Sequence, residues 1–150
     1  MKLEFLNISL CLLFIPFFTV AEKRHIDPTG TYILSRMSKV KNIELTYEGS
    51  FCEVFVTLIE KNRIVVKLSA VSGYPKYDSI SVADTLNFKG KTAIYTVGEN
   101  EDYKLKFRFL SKGMILKEIV GNSYNDHVFS KGIEINGFYK KNNSAIPDFR

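Results

Sequence analysis

The sequence is poor in the residues that form disulfides, metal sites and nucleophilic centres. Its 150 residues include two cysteines, two histidines and no tryptophan. Cys11 lies in the apolar N-terminal run 8–18, so Cys52 is the one cysteine expected in the folded domain. A lone cysteine excludes an intrachain disulfide there, and two distant histidines without cysteine partners lack the spacing of metal ligands. We therefore predict no metal and no cofactor, and a stability that comes from a hydrophobic core. We expect Cys52 to be buried in that core, the alternative being an intermolecular disulfide.

Acidic residues are fewer than basic ones. The chain has 21 Lys and Arg against 16 Asp and Glu, a formal net charge of +5. Hydrophobic residues make up 45% of the chain and charged residues 25%, which is typical of a globular protein and excludes a disordered or collagen-like one. The length fits one domain. The charge points to an acidic protein or an anionic envelope component as a partner, or to no partner at all.

The N-terminus has the three features of a secretory signal peptide. Lys2 precedes the apolar run 8–18, and the small residue Ala21 provides a cleavage site. We predict a signal peptide over 1–21, a polar leader over 22–29, a folded domain over 30–141 and a C-terminal tail over 142–150. The protein is then exported, to the periplasm or the extracellular space. No apolar run reaches the roughly 20 residues that a bilayer-spanning helix needs, so no membrane span is predicted.

Hydrophobic and polar residues alternate with period two through most of the domain, which is typical of β-strands with one buried face. The clearest pattern covers 103–110, which the turn 111–113 joins to a strand at 114–120 in a hairpin. Another hairpin is predicted from 52–58 and 63–70 around the turn 60–62. Weaker strands are predicted at 31–36, 43–47, 82–88, 92–97 and 133–140, with one helical turn near 37–41. About eight strands without helices predict an all-β antiparallel up-and-down meander that closes into a small barrel, the alternative being a two-sheet sandwich.

Two groups of residues are candidates for binding a partner. The loop residues Ser72, Gly73, Tyr74 and Tyr77 place two aromatic rings beside Gly and Pro, and tyrosine offers contact area at a low entropic cost. The alternative is an ordinary loop that caps the barrel. The second group is a basic row on one strand face, Lys104, Lys106 and Arg108, which Lys117 extends; its alternative is a solvated outer face that keeps the sheet soluble.

Catalysis and nucleic-acid binding are not expected. Cys52, His127 and Asp126 are the residue types of a thiol nucleophile, its base and an orienting carboxylate, but the pattern around Cys52 predicts that its side chain points into the core. The protein is therefore not expected to be an enzyme. The aromatic residues of strand 103–110 face away from its basic row, so they cannot stack bases there.

The chain resembles small exported bacterial β-barrel proteins of uncharacterised function that are lipocalin-like in architecture. The resemblance rests on Gly30-Thr31-Tyr32 at the start of the domain, Gly137-Phe138-Tyr139-Lys140-Lys141 at its end, and the interior hairpin leading into Ser69-Ala70-Val71-Ser72-Gly73. The paired cysteines of that group have no counterpart at Leu86 or in the loop 122–126. The resemblance implies a barrel and a bacterial envelope. The stretch Ser72-Gly73-Tyr74-Pro75-Lys76-Tyr77 is also similar to the Ser-Gly-x-Tyr and Ser-Gly-x-x-Tyr loops of periplasmic lysozyme inhibitors.

These observations favour a secreted or periplasmic non-catalytic binding protein that acts on another protein as an inhibitor or immunity-like factor. The first alternative is a carrier of a small hydrophobic ligand in the barrel interior, which large inward residues such as Tyr32, Phe107 and Phe109 would fill. The second is a lysozyme inhibitor. The net charge of +5 disfavours it, because lysozymes of the common type are strongly basic and two positive proteins repel each other.

Overall fold

The structure is a computed structural model that describes residues 26–41, 43–96, 103–121 and 133–149. The predicted signal peptide 1–21, residues 22–25 of the predicted leader, and His127 with Asp126 lie outside the described residues. Ten strands cover the described chain, and no helix in it is long and apolar enough to cross a membrane. The strands are β1 (Gly30–Ser35), β2 (Ser38–Lys39), β3 (Tyr47–Glu48), β4 (Ser50–Glu60), β5 (Arg63–Ser72), β6 (Ser79–Lys89), β7 (Thr92–Thr96), β8 (Tyr103–Leu110), β9 (Gly113–Val120) and β10 (Gly137–Asn143).

Eight of these strands form a closed antiparallel barrel in the order β1-β10-β9-β8-β7-β6-β5-β4. Strands β4 to β10 follow one another as a meander, and β1 closes the barrel by pairing with both β4 and β10. Tyr32, for example, lies opposite Val54 on one side and Lys141 on the other. The predicted all-β barrel is confirmed, and closure hides the strand edges that an open sheet of this size would expose.

The barrel interior is packed with side chains. Alternate residues of each strand point inward because successive side chains of a strand lie on opposite faces. The Phe109 ring makes edge contacts with Tyr32 and Phe88, at centroid distances of 5.8 Å and 5.6 Å. The largest fully buried side chains are Tyr32, Tyr103, Tyr139, Phe107, Phe109, Ile64, Leu68, Leu105, Met114, Leu116, Ile135 and Val54. Burial of each large apolar side chain contributes about 1.5–3 kcal/mol, so this core, rather than any cross-link, stabilises the fold.

The connections between strands fall at two opposite ends of the barrel, because each hairpin reverses the chain. We call the end with the tight turns 61–62, 90–91 and 111–112 the turn end. We call the other end, with the β5–β6 loop 73–78, the ribbon β2–β3 and the segment 133–136, the loop end. Strand β1 starts at the turn end and finishes at the loop end.

Each end is covered by a segment without regular structure. At the turn end, Ile26 packs against the core and the Tyr32 hydroxyl donates a 2.6 Å hydrogen bond to the Pro28 carbonyl. At the loop end, Ile133 and Ile135 are buried, and the Ile135 carbonyl accepts a 2.8 Å hydrogen bond from the Tyr139 hydroxyl. Both tyrosine hydroxyls are therefore satisfied although their rings lie in the core.

Two local predictions are wrong. The predicted helical turn near 37–41 and strand 43–47 are replaced by the short ribbon β2–β3, because Leu45 takes a left-handed conformation (φ 56°) that breaks a strand. The predicted strand 133–140 begins only at Gly137 (φ 151°) and continues to Asn143. This positive φ favours glycine at position 137, because residues with a Cβ rarely adopt it.

Candidate functional site

The β5–β6 loop carries two exposed tyrosines on a well-anchored backbone. Tyr74 and Tyr77 pack edge to face with their ring centroids 6.4 Å apart, and Tyr77 is 63% exposed. The loop closes at its base, where the Ser72 amide donates to the Asp78 carbonyl and the Asp78 amide donates to the Ser72 hydroxyl, each at 2.8 Å. The Tyr77 amide donates to the Gly73 carbonyl at 3.1 Å. The loop therefore presents its aromatic rings from a fixed base.

The ribbon β2–β3 packs against this loop through backbone contacts that require glycine. The Gly73 amide donates to the Gly49 carbonyl at 2.8 Å, and the Tyr74 amide donates to the Tyr47 carbonyl at 2.7 Å. A Cβ at Gly73 would lie 2.1 Å from that same carbonyl oxygen of Tyr47. Gly73 therefore allows the two backbones to approach each other closely, a role that the sequence did not indicate.

The ribbon also exposes two apolar side chains at the loop end. Leu45, on the connection between β2 and β3, is 85% exposed, and Tyr47 is half exposed. Glu48 is the residue that pairs with Tyr74 in the parallel bridge, so the side chains of Tyr47 and Tyr74 lie on opposite faces. We therefore define the tyrosine patch as Tyr74 and Tyr77. Sequence reasoning did not place Leu45 and Tyr47 at this end of the barrel, because only the ribbon β2–β3 brings their segment to the β5–β6 loop.

The predicted basic row lies where the alternation placed it. Lys106 and Arg108 are exposed on the outer face of β8, and Lys104 is half-buried. Lys117 of β9 lies directly opposite Lys106. Aliphatic side chains flank the row, because Ile94 of β7 pairs with Lys106 and Ile119 of β9 pairs with Lys104.

The structure does not bring the basic row to the tyrosine patch. In the sheet order, β7 and β6 separate β8 from the strand β5 that leads into the tyrosine loop. The row runs along the barrel wall, whereas the patch lies at the loop end. The two candidate groups are therefore separate surfaces, and either could bind a partner without the other.

The thiol of Cys52 lies inside the barrel. Cys52 is fully buried (0% exposed), which confirms the predicted position of this side chain in the core. Burial raises the pKa of the Cys52 thiol, and a hydrogen bond with Tyr139 opposes that shift only partly. A protonated, inaccessible thiol is a poor nucleophile. Among the described residues, no group of three His, Cys, Asp or Glu side chains could hold a metal ion.

A polar network at the loop end serves to close the barrel. The Asn136 side chain donates to Glu118 Oε2 at 2.7 Å and accepts from the Glu118 amide at 2.6 Å. Arg36 donates to the Asn136 carbonyl at 2.8 Å and forms an ion pair with Glu134. The Tyr103 hydroxyl donates to Glu118 Oε1. These bonds tie the segment 133–136 to β1, β8 and β9, so the network has a structural explanation.

Comparisons with protein-family models, with curated proteins and with solved structures found no match for this chain. The resemblance to exported lipocalin-like barrels therefore rests on the sequence motifs alone.

Proposed function

We propose that this protein is an exported, non-catalytic binding protein that acts on another protein as an inhibitor or immunity-like factor, and that it contacts its partner through the tyrosine patch. The single observation that carries the proposal is the exposed, edge-packed pair Tyr74 and Tyr77 on an anchored loop. Exposed aromatic rings held in one conformation are typical of the residues that dominate protein–protein affinity.

The packed interior supports a protein partner over a small hydrophobic ligand. Carriers of the lipocalin type leave room inside the barrel, whereas here buried aromatic rings such as Tyr32, Phe88 and Phe109 contact one another across it. A ligand would have to displace side chains that are already in van der Waals contact, and loss of those contacts opposes binding. The outer surface is therefore the better place for a partner.

The charge distribution supports an acidic partner. The net charge of +5 and the row Lys104, Lys106 and Arg108 accelerate encounter with an acidic protein and slow encounter with a basic one such as a lysozyme of the common type. In this proposal the basic row steers the partner from the barrel wall, and the tyrosine patch supplies the close contact.

The proposal is tested by capture from the envelope extract of the source cells, followed by calorimetric titration with the partner identified. Three forms are compared: the wild type, the double variant Tyr74→Ala with Tyr77→Ala, and Phe138→Ala. Phe138 is the matched control because it is a half-exposed aromatic residue on the barrel wall, away from the loop end.

We expect a stoichiometric partner that binds the wild type and the control alike, and binds the double variant at least about 30-fold more weakly, the loss of a typical aromatic anchor. Unchanged affinity of the double variant would exclude the tyrosine patch. A small molecule that copurifies at one per chain, seen by native mass spectrometry, would instead support the carrier alternative.

A further inference from the structure

The tight turns at the turn end all carry lysine. Lys61 lies in the β4–β5 turn, Lys91 in the β6–β7 turn and Lys112 in the β8–β9 turn. Lys89 and Lys140 lie on strands that end or pass there. All five are exposed. We call these five residues, Lys61, Lys89, Lys91, Lys112 and Lys140, the lysine rim.

Few acidic groups at this end offset the charge of the lysine rim. Glu60 is engaged by Arg63 in an ion pair with an N–O distance of 3.2 Å, so that pair is neutral. Asp27, whose carboxylate accepts a 2.9 Å hydrogen bond from the Thr29 amide, and Asp148 are the acidic residues of the segments that lead to and from this end, and the rim lysines outnumber them. Arg108, near the end of β8, adds another positive charge. The turn end is therefore a concentrated positive surface, while acidic residues such as Glu48, Asp78, Glu118 and Glu134 belong to the loop end.

Backbone hydrogen bonds hold the turns in a fixed ring. The Phe88 amide donates to the Asn62 carbonyl at 2.7 Å, and the Phe109 amide donates to the Lys91 carbonyl at 2.8 Å. The Lys141 amide donates to the Lys112 carbonyl at 3.2 Å. Each turn is thereby bonded to the strand that follows it around the barrel. The backbone that carries the turn lysines of the rim is therefore preformed.

The chemistry of this platform fits an anionic lipid surface better than a protein or a nucleic acid. The turns contain no aromatic residue, so they offer neither the anchors of a protein interface nor a stacking surface for bases. Lysine is a flexible point charge that binds phosphate groups without demanding a fixed geometry. Exposed aliphatic side chains accompany the rim: Ile59 precedes the β4–β5 turn, and Ile146, 75% exposed, follows β10. Positive charge beside exposed aliphatic groups is typical of a peripheral membrane surface.

We propose that the lysine rim docks the barrel, turn end first, on a bilayer that contains anionic phospholipid. Each lysine near such a surface contributes to the attraction, which salt screens within a Debye length of about 8–10 Å. Docking in this orientation directs the loop end away from the bilayer, and the tyrosine patch stays accessible. Docking by the lysine rim uses the opposite end of the barrel from the tyrosine patch and does not depend on it.

The test is a vesicle sedimentation assay with the mature protein that is expected after removal of the predicted signal peptide 1–21, whose apolar run would itself bind bilayers. The vesicles are either pure phosphatidylcholine or phosphatidylcholine with about 30% phosphatidylglycerol, which makes the surface strongly negative. The rim variant replaces one lysine of each turn: Lys61→Gln, Lys91→Gln and Lys112→Gln. The matched control removes the same charge from the barrel wall: Lys67→Gln, Lys106→Gln and Lys117→Gln. Circular dichroism and the thermal midpoint confirm that both variants fold.

We expect the wild type to bind the anionic vesicles and not the neutral ones, with an affinity that falls steeply with salt. Each rim lysine removed should lower the partition coefficient about fivefold, so the rim variant binds about a hundredfold more weakly, whereas the control loses much less. Equal losses in the two variants would overturn the proposal, because net charge alone would then explain binding. The absence of wild-type binding at about 50 mM salt, where screening is weak, would also overturn the proposal.

Two further arms distinguish the lipid surface from other anions. Soluble glycerol phosphate, at the same concentration as the lipid headgroups, should not displace the protein from the vesicles; displacement would overturn the bilayer in favour of a soluble phosphate compound. Polyglutamate is the probe for an acidic protein. Binding of polyglutamate through the lysine rim in the absence of vesicle binding would overturn the proposal in favour of such a partner.

Discussion

Lys106 on β8 and Lys117 on β9 face each other directly across the outer surface of the barrel. Like charges at opposed positions of an antiparallel pair repel and destabilise the sheet. The unfavourable pair extends the basic row onto the neighbouring strand. Its position on the open barrel wall is the arrangement expected if positive charge serves to attract a partner.

Replacement of Lys117 should therefore make the protein more stable. In Lys117→Glu the repulsion becomes a cross-strand ion pair, and we expect a gain of about 0.5–1 kcal/mol, or roughly 2–4 °C in the thermal midpoint. Lys67→Glu is the control, because Lys67 faces Phe55 and Ala83, which carry no charge. The gain should shrink in 1 M salt, where the Debye length is about 3 Å and the ion pair is screened. A control variant stabilised as much as Lys117→Glu would show that the repulsion is not pairwise.

Enlargement of Gly73 should separate the ribbon β2–β3 from the tyrosine loop. In Gly73→Ala the new methyl group would lie 2.1 Å from the Tyr47 carbonyl oxygen, so the two backbones must move apart. We expect a loss of about 1–3 kcal/mol in the free energy of unfolding, measured by urea denaturation. Amide exchange of Tyr74 should also accelerate, since the Tyr47 carbonyl accepts its hydrogen bond.

Gly90 provides the control for this substitution. A Cβ at Gly90 meets nothing within 4 Å, although its φ of 67° favours residues that tolerate the left-handed region. Gly90→Asn should therefore cost less than about 1 kcal/mol, because asparagine is among the residues that accept a positive φ. If Gly73→Ala costs no more than Gly90→Asn, the close approach between ribbon and loop is not a packing constraint.

The buried tyrosines should make the protein sensitive to alkaline pH. Burial, reinforced by the nearby Asp27 carboxylate, raises the pKa of Tyr32 well above its usual value, and burial also raises the pKa of Tyr139. A raised pKa means that the folded state keeps a proton that the unfolded state releases above about pH 10. Stability is therefore fully present below that pH and falls as the pH rises further, by up to about 1.4 kcal/mol per pH unit for each such group.

The measurement is the urea midpoint at about pH 8 and about pH 11, which bracket the usual tyrosine pKa of about 10. Three forms are compared: the wild type, Tyr32→Phe and Tyr77→Phe. Tyr32→Phe should lose less stability between the two pH values than the wild type, although the lost hydrogen bond to the Pro28 carbonyl makes it less stable at the lower pH. Tyr77→Phe, at an exposed position, should behave as the wild type does. An identical alkaline loss in all three forms would rule out Tyr32 as a source of the pH dependence.

The strands were predictable where alternation was regular. In β8 the inward residues Tyr103, Leu105, Phe107 and Phe109 alternate with basic residues, and the structure buries all four. The prediction of a strand over 43–47 failed because Leu45 takes a left-handed conformation. The predicted strand 133–140 failed at its start, where Ile133 and Ile135 lie outside any strand. The last two are buried as a cover over the loop end and not in a paired strand, a distinction that side-chain hydrophobicity does not encode.

The candidate surfaces were only partly predictable for a related reason. The tyrosine loop and the basic row are local, because the residues of each are close in sequence, and the sequence alone indicates both as candidates. The position of the ribbon β2–β3 beside this loop, and the lysine rim, depend on contacts between distant segments. Lys61 and Lys112 are 51 residues apart and share one end of the barrel because the chain reverses an odd number of times between them.

The sequence by itself determined which side chains face the core and which face water, because the two faces of a strand alternate along the chain and need no partner to be defined. It also determined that the fold depends on a packed core and not on disulfides. The tertiary structure alone decided which strands meet at the closure, where β1 pairs with β10 more than 100 residues later. It also decided which turns share an end, and so where the positive charge collects. Pairing and closure are non-local, and they follow from the burial of the whole interior rather than from any one segment.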